Sequence, residues 1–192
     1  MTLPTDLIVA VARMLEAIGI PYHVGGSVAS SAHGMYRASA DVDFVIDPTP
    51  EQLEALAREL EVEHYVSRSA VAEAFAARGM FSAIHEATSF KVDFFFKGPT
   101  SFDAEELRRS VRLAVGPADG PNVLIKTAED TILRKLEWYR RGGEVSERQW
   151  NDVIAILVAM RGQLDDAHLD RWAPELGVGG LLARARREAE KI

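Results

Sequence analysis

An α+β fold, with a mixed central sheet flanked by helices and a C-terminal helical segment, is predicted by three features of this sequence. DVDFVI at 41–46 and FKVDFFF at 90–96 combine period-two alternation with residues that favour strands. Apolar residues between Leu7 and Ile18 recur instead at helical spacing. From Thr127 onward the helical period takes over, so strands come first and helices last. The 192 residues, 47% hydrophobic and 27% charged, suit a globular chain and exclude disordered and collagen-like classes. Zero cysteines remove disulfides, thiolate nucleophiles and Cys-ligated zinc.

The opening helix carries Leu7, Ile8, Val11, Leu15 and Ile18 on one face and ends at Gly19, before Pro21. Asp6 and Arg13 interrupt its apolar stretch, and it lacks a basic leader and a small-residue cleavage site, so it reads as part of the fold rather than a signal. No uncharged apolar run is long enough to cross a bilayer, and a soluble, cytoplasmic protein without membrane contact is expected. Tyr22-His23-Val24 is a short strand that runs into Gly25-Gly26-Ser27 and then a small-residue helix toward His33. After the 41–46 strand, Thr49 caps a helix with Pro50 at its first position, Gln52 completes a capping box, and Leu53, Leu56 and Leu60 form the apolar face.

A helix over 71–77 and a strand over 81–85 follow, then the 90–96 strand, closed by Lys97-Gly98-Pro99. A short helix at 103–109 and strands at 111–115 and 123–125 complete the sheet region. Thr127 and Asp130 read as a capping box for a helix holding Ile132, Leu133, Leu136 and Tyr139 as far as Gly142-Gly143. Ser146 caps the next, with Trp150, Val153, Ile154, Leu157 and Val158, and two more helices fall within 166–191. The expected organisation is a core over 1–120 with a helical region over 121–192 packed on it.

Alternation places Val42, Phe44 and Ile46 on one face of the first strand and Asp41, Asp43 and Val45 on the other. In the second strand Val92, Phe94 and Phe96 oppose Lys91, Asp93 and Phe95. Two like charges on one strand face repel, and a divalent cation compensates them; carboxylates of this kind suit Mg²⁺. With Asp93 on an adjacent strand, the three acids could hold two ions roughly 3.5–4 Å apart, the spacing of in-line phosphoryl chemistry. The plainer alternative is that Asp43 is solvated and Asp93 pairs with Lys91.

The Gly25-Gly26-Ser27 turn lets backbone approach a ligand and offers helix N–H groups to phosphate, with Ser27 as a cap or hydroxyl donor. It is neither a Walker A loop nor a G-x-G-x-x-G turn. The stretch HVGGSVASSAHGMYRASADVDFVI at 23–46 resembles the signature of the DNA polymerase β nucleotidyltransferase superfamily. More closely, it resembles bacterial AbiEii-type and related nucleotidyltransferase-like proteins, in which an Arg, here Arg37, precedes the paired acids. Asp93 in the 90–96 strand matches the third carboxylate, and 123–158 resembles their helical segment, with Lys135 and Asp152 at polar positions. Ser39 departs from the Thr of many relatives.

The resemblance implies a nucleotidyltransferase fold and a Mg²⁺-dependent transfer of a nucleoside monophosphate from an NTP to a hydroxyl. Asp41, Asp43 and Asp93 would be the catalytic and metal-binding acids, with Asp93 also the general base. Gly25, Gly26, Ser27, Arg37 and Lys135 would bind the nucleotide. tRNA or another RNA is the favoured acceptor, as for toxins with a cognate antitoxin; a small hydroxylated acceptor of the aminoglycoside kind is the alternative, and a non-catalytic nucleotide-binding module the third reading. A net charge of −7 argues against non-specific coating of nucleic acid, while the basic runs RKLEWYRRGGEVSERQW and RARREAEK leave room for an RNA backbone. His23, His33 and His85 lack zinc-site spacing and read as packing or hydrogen-bonding residues. Trp138, Tyr139 and Trp150 read as core.

Overall fold

The computed structural model describes residues 4–34, 39–116 and 120–192. Among them, those within Met1–Val28 and Ala38–Ile125 form one compact unit, and those within Ala29–Arg37 and Lys126–Ile192 a second. The first holds a seven-stranded mixed sheet: β1 (Tyr22–Val24), β2 (Asp41–Ile46), β3 (His64–Val66), β4 (Met80–His85), β5 (Lys91–Phe96), β6 (Val111–Ala114) and β7 (Asn122–Ile125), in the order β3-β4-β5-β2-β1-β7-β6. The pairs β2–β5 and β1–β7 are parallel and the remaining neighbours antiparallel.

The apolar face follows from alternation. Val42, Phe44 and Ile46 of β2 and Val92 and Phe94 of β5 are fully or almost fully buried. The Phe94 ring stacks on Phe81 at a centroid distance of 4.9 Å and on Phe44 at 5.8 Å. Helix α1 (Pro4–Ile18) reaches this face through Tyr22, whose hydroxyl donates to Glu16 at 3.0 Å, and turns away at Gly19, with φ of +79°. Helix α3 (Pro50–Leu60) packs beside α1 and buries Leu53, Leu56 and Leu60; its Thr49–Gln52 capping box forms as the sequence predicts. Helix α4 (Arg68–Ala77) sets Phe75 edge-on to Phe96 at 5.4 Å. Helix α5 (Ser101–Arg108) begins at a Thr100–Asp103 capping box, earlier than the spacing suggests.

The second unit contains the end of α2 (Gly26–His33) and the helices α6 (Ala128–Arg141), α7 (Glu147–Ala159), α8 (Asp166–Glu175) and α9 (Gly179–Ala189). Its core includes Ile132, Leu136, Val153, Ile156, Leu169 and Leu182. At Thr127 only half of the expected box forms. The threonine caps through the Asp130 N–H, and the Asp130 carboxylate is shared: Oδ2 accepts from the Thr127 hydroxyl at 2.9 Å and Oδ1 meets His168 Nε2 at 2.7 Å. Tyr139 and Trp150 are core residues with ring centroids 5.2 Å apart, whereas Trp138 is 55% exposed and lies beside the Arg141 guanidinium. The reason is position on α6: Tyr139 shares the face of Leu136 and Ile132, and Trp138 does not. No helix among the described residues is long and apolar enough to cross a membrane.

Replacing Phe94 by Ala removes a ring stacked on two others in a sealed layer, and a loss of about 3–5 kcal/mol in urea unfolding is expected. His64 and His85 face each other across β3 and β4 with ring centroids 5.1 Å apart. Burial first, and the neighbouring His85 second, push the His64 imidazole below its ordinary value. Unfolded His64 takes its proton near pH 6.5, while the folded ring resists it until lower pH. His64 therefore costs no stability above about pH 6.5, and its penalty grows as pH falls through that value and the lower folded one. His64→Phe should lose less urea midpoint than the parent protein between pH 7.5 and 5; an equal loss would assign the acid sensitivity elsewhere.

Candidate active site

The glycine turn and the acidic strand are joined through the backbone. Gly25 N–H donates to the Asp43 carbonyl at 2.8 Å, which prolongs the β1–β2 pairing by one residue, and the chain then enters α2 at Gly26 with φ of +54°. A Cβ on Gly26 would lie 1.6 Å from Asp43 Oδ2 and 2.6 Å from its Cγ. Glycine is required twice over, for the left-handed backbone and for the carboxylate lying against it. The helix N-terminus is where an anionic side chain gains most from the aligned peptide dipoles.

Ser27 sits inside the first turn of α2 and is not its N-cap, because the helix begins at Gly26, two residues earlier than a Ser27 cap would start it. Its hydroxyl is directed to Ser39 Oγ at 2.8 Å, and Ser39 in turn donates to Asp41 Oδ1 at 2.8 Å. Ser27 is 4% exposed and Ser39 and Asp41 are half-buried, so the relay starts in the interior and ends near the surface.

Parallel pairing of β2 and β5 sets Asp41 opposite Lys91 and Asp43 opposite Asp93. Directly paired residues project to the same side of a sheet, so all three acids and Lys91 share one face. Antiparallel β4 adds Ser82 opposite Asp93 on that face. Asp93 is 4% exposed and both of its oxygens are engaged: Ser82 Oγ donates to Oδ1 at 2.6 Å and Lys91 Nζ to Oδ2 at 2.6 Å. The Lys91 ammonium is held protonated beyond its usual range, first by that hydrogen bond to Asp93, then by the charges of Asp93, Asp41 and Asp43. The Asp93–Lys91 pair, read in the sequence as the alternative to a shared ion, is therefore present. Among the described residues, no three acidic or imidazole side chains are gathered into a metal-binding group, although the backbone lines the three acids up.

Lys135 belongs to the second unit and is 7% exposed, not on a solvated helix face; its ammonium donates to Asp152 Oδ2 at 2.7 Å and Gln149 Oε1 at 3.0 Å. Arg37 lies outside the described residues. The three histidines behave as packing groups: His23 Nδ1 meets Ser110 Oγ at 3.2 Å, His33 Nε2 meets the Lys126 carbonyl at 2.7 Å, and His85 Nδ1 meets Thr88 Oγ1 at 2.8 Å. Sequence reasoning missed Ser82, which comes from a strand with no chemical motif, and gave Ser39 no role. Lys91 carried a usable signal, since it stands two residues from Asp93 on the same strand face.

No family profile matches the sequence, and neither does any curated protein. Solved structures do match in fold. The antibiotic-resistance factor ANT(2'')-Ia aligns at a TM-score of 0.56 and 16% identity, over 89% of this chain and 94% of its own. ANT(2'')-Ia in complex with adenylyl-2''-tobramycin aligns at 0.58 and 13%, over 91% and 97%. An antigenic nucleotidyltransferase-like protein from Paracoccidioides brasiliensis aligns at 0.55 and 15%, over 95% and 91%. The seven-stranded mixed sheet with its helices thus has the nucleotidyltransferase fold, on which the 23–46 stretch and the 90–96 strand occupy β1, α2, β2 and β5.

Proposed function

We propose that this protein is a Mg²⁺-dependent nucleotidyltransferase that moves a nucleoside monophosphate from an NTP to a hydroxyl, with release of pyrophosphate. The observation that carries this reading is the register of β2 on β5, which sets Asp43 opposite Asp93 with Asp41 on the same face, beside the Gly26 start of α2. The donor set is all oxygen, as Mg²⁺ requires, and the reading is supported by the cation present there, Lys91, which is held by its hydrogen bond to Asp93 and by the charges of all three acids. Asp41 and Asp43 would be the principal ligands, with Asp93 completing the set for two ions. Mg²⁺ bound there would neutralise the triphosphate and the charge developing at the attacking oxygen.

Asp93 is proposed to accept the proton of the incoming hydroxyl, and Ser82 fixes its orientation through Oδ1. Backbone N–H groups of Gly26 and Ser27 are proposed to meet phosphate oxygens and Arg37 to add a charged contact, while Gly25, whose own N–H is taken by the Asp43 carbonyl, shapes the turn rather than donating from it. Lys135 is assigned to the frame of the second unit instead, because Asp152 and Gln149 take its ammonium.

For the acceptor we favour a small hydroxylated molecule. ANT(2'')-Ia is matched over nearly its whole length, and many basic side chains of the C-terminal helices are engaged internally: Arg186 with Asp166 and Asp170, Arg140 with the Gly177 carbonyl, Arg134 and Arg141 with Glu137. RNA, the acceptor of the AbiEii-type reading with its antitoxin partner, is kept as the second reading by one observation. Trp138 is exposed next to Arg141, the combination on which an unpaired base stacks.

Incubation with each labelled NTP and Mg²⁺, against an aminoglycoside panel and against total tRNA, should place the label on one acceptor class only. Asp93→Asn should slow transfer roughly 10²–10⁴-fold, and Asp41→Asn or Asp43→Asn should abolish it. Transfer at the parental rate in all three variants would refute the assignment. Gly26→Ala is expected to cost about 1 kcal/mol or more of stability and to abolish transfer by displacing Asp43; a crystal structure of the variant with Asp43 unmoved would contradict this account of the turn.

A further inference from the structure

Asp93 poses an electrostatic problem that its ligand role does not solve. A carboxylate 6% exposed needs a partner at all times, because a buried unpaired charge is severely destabilising. Bound cations would serve once the site is loaded; before that the partner is Lys91, whose Nζ stands 2.6 Å from Asp93 Oδ2 and whose Cα is paired in register with Asp41. An ammonium at hydrogen-bond distance from a ligand oxygen and a divalent cation on the same carboxylate repel strongly at such separation. Lys91 is 42% exposed along its side chain, on a flexible four-carbon stem, and has room to swing out.

We propose that Lys91 is a built-in competitor for the cation site: its ammonium neutralises Asp93 in the nucleotide-free protein, opposes loading of free divalent ions, and gives way when the cation arrives with the nucleotide. Lys91 is thus a positioning residue that makes cation entry depend on the NTP. The inference rests on the reading of Asp41, Asp43 and Asp93 as cation ligands, and its test separates the two.

Mn²⁺ binding to the intact protein without nucleotide, followed by electron paramagnetic resonance, should be weak in the parent and roughly tenfold tighter or more in Lys91→Met, the equivalent of one elementary step of 1.4 kcal/mol. Lys91→Gln serves as a second variant should the methionine impair folding, judged by circular dichroism. Lys91→Arg, which keeps the charge, should return to weak binding, and Lys97→Met, which removes a lysine paired with Asp47 at the other end of β5, should leave affinity within about twofold of the parent. The double variant Lys91→Met with Asp43→Asn should lose the gain. Equal Mn²⁺ affinity in the parent and in Lys91→Met, abolished in both by Asp43→Asn, would overturn the role of Lys91 and leave the cation site standing. No Mn²⁺ bound by any variant, with or without NTP, would overturn the cation reading and this inference together.

Discussion

The parallel, in-register pairing of β2 with β5 is the constraint from which the rest of the site follows. Side chains on a strand alternate, so one register decides both faces together. Phe44 against Phe94 and Val42 against Val92 seal the core side, and Asp43 against Asp93 is then forced onto the other. A slip by one residue would drive carboxylates into the layer where Phe44, Phe81 and Phe94 stack. The geometry of the acids is thus enforced by apolar burial on the opposite side of the sheet. Parallel neighbours also require a crossover between them, and here it contains α3, β3, α4 and β4.

Most of this was legible where the cause was local. Alternation in DVDFVI and FKVDFFF fixed the faces of both strands, and the Thr49 capping box marked the start of α3. What escaped has non-local causes. β3 is a strand of three residues with Tyr65 exposed, and only its pairing with β4 makes it one. Asp130 keeps one carboxylate oxygen on the Thr127 hydroxyl and gives the other to His168, thirty-eight residues on, a partner no local pattern announces. Ser27 looked like a cap in a linear reading, yet Ser39 and Asp41 draw its hydroxyl sideways. The acids themselves could be placed on one face from sequence, but which donors hold them depends on Ser82, brought in by a hairpin with no motif of its own.

The three acids are compensated in three different ways, and the differences bear on what each can do. Asp43 lies against backbone at the start of α2. Asp41 takes a hydroxyl relay from Ser39 and Ser27, which neutral groups can reorganise at small cost. Asp93 takes an ammonium. The second unit offers the contrast, since the Lys135–Asp152 pair is 8% and 14% exposed and is further held by Gln149. Breaking such a pair strands a charge in low dielectric, so it acts as a fixed strut. Lys91 on Asp93 is the same chemical pair with one partner near solvent, and an ammonium that leaves it is rehydrated at once. Exposure of the cation, rather than the length of the hydrogen bond, is what divides a structural ion pair from one that can yield to a ligand.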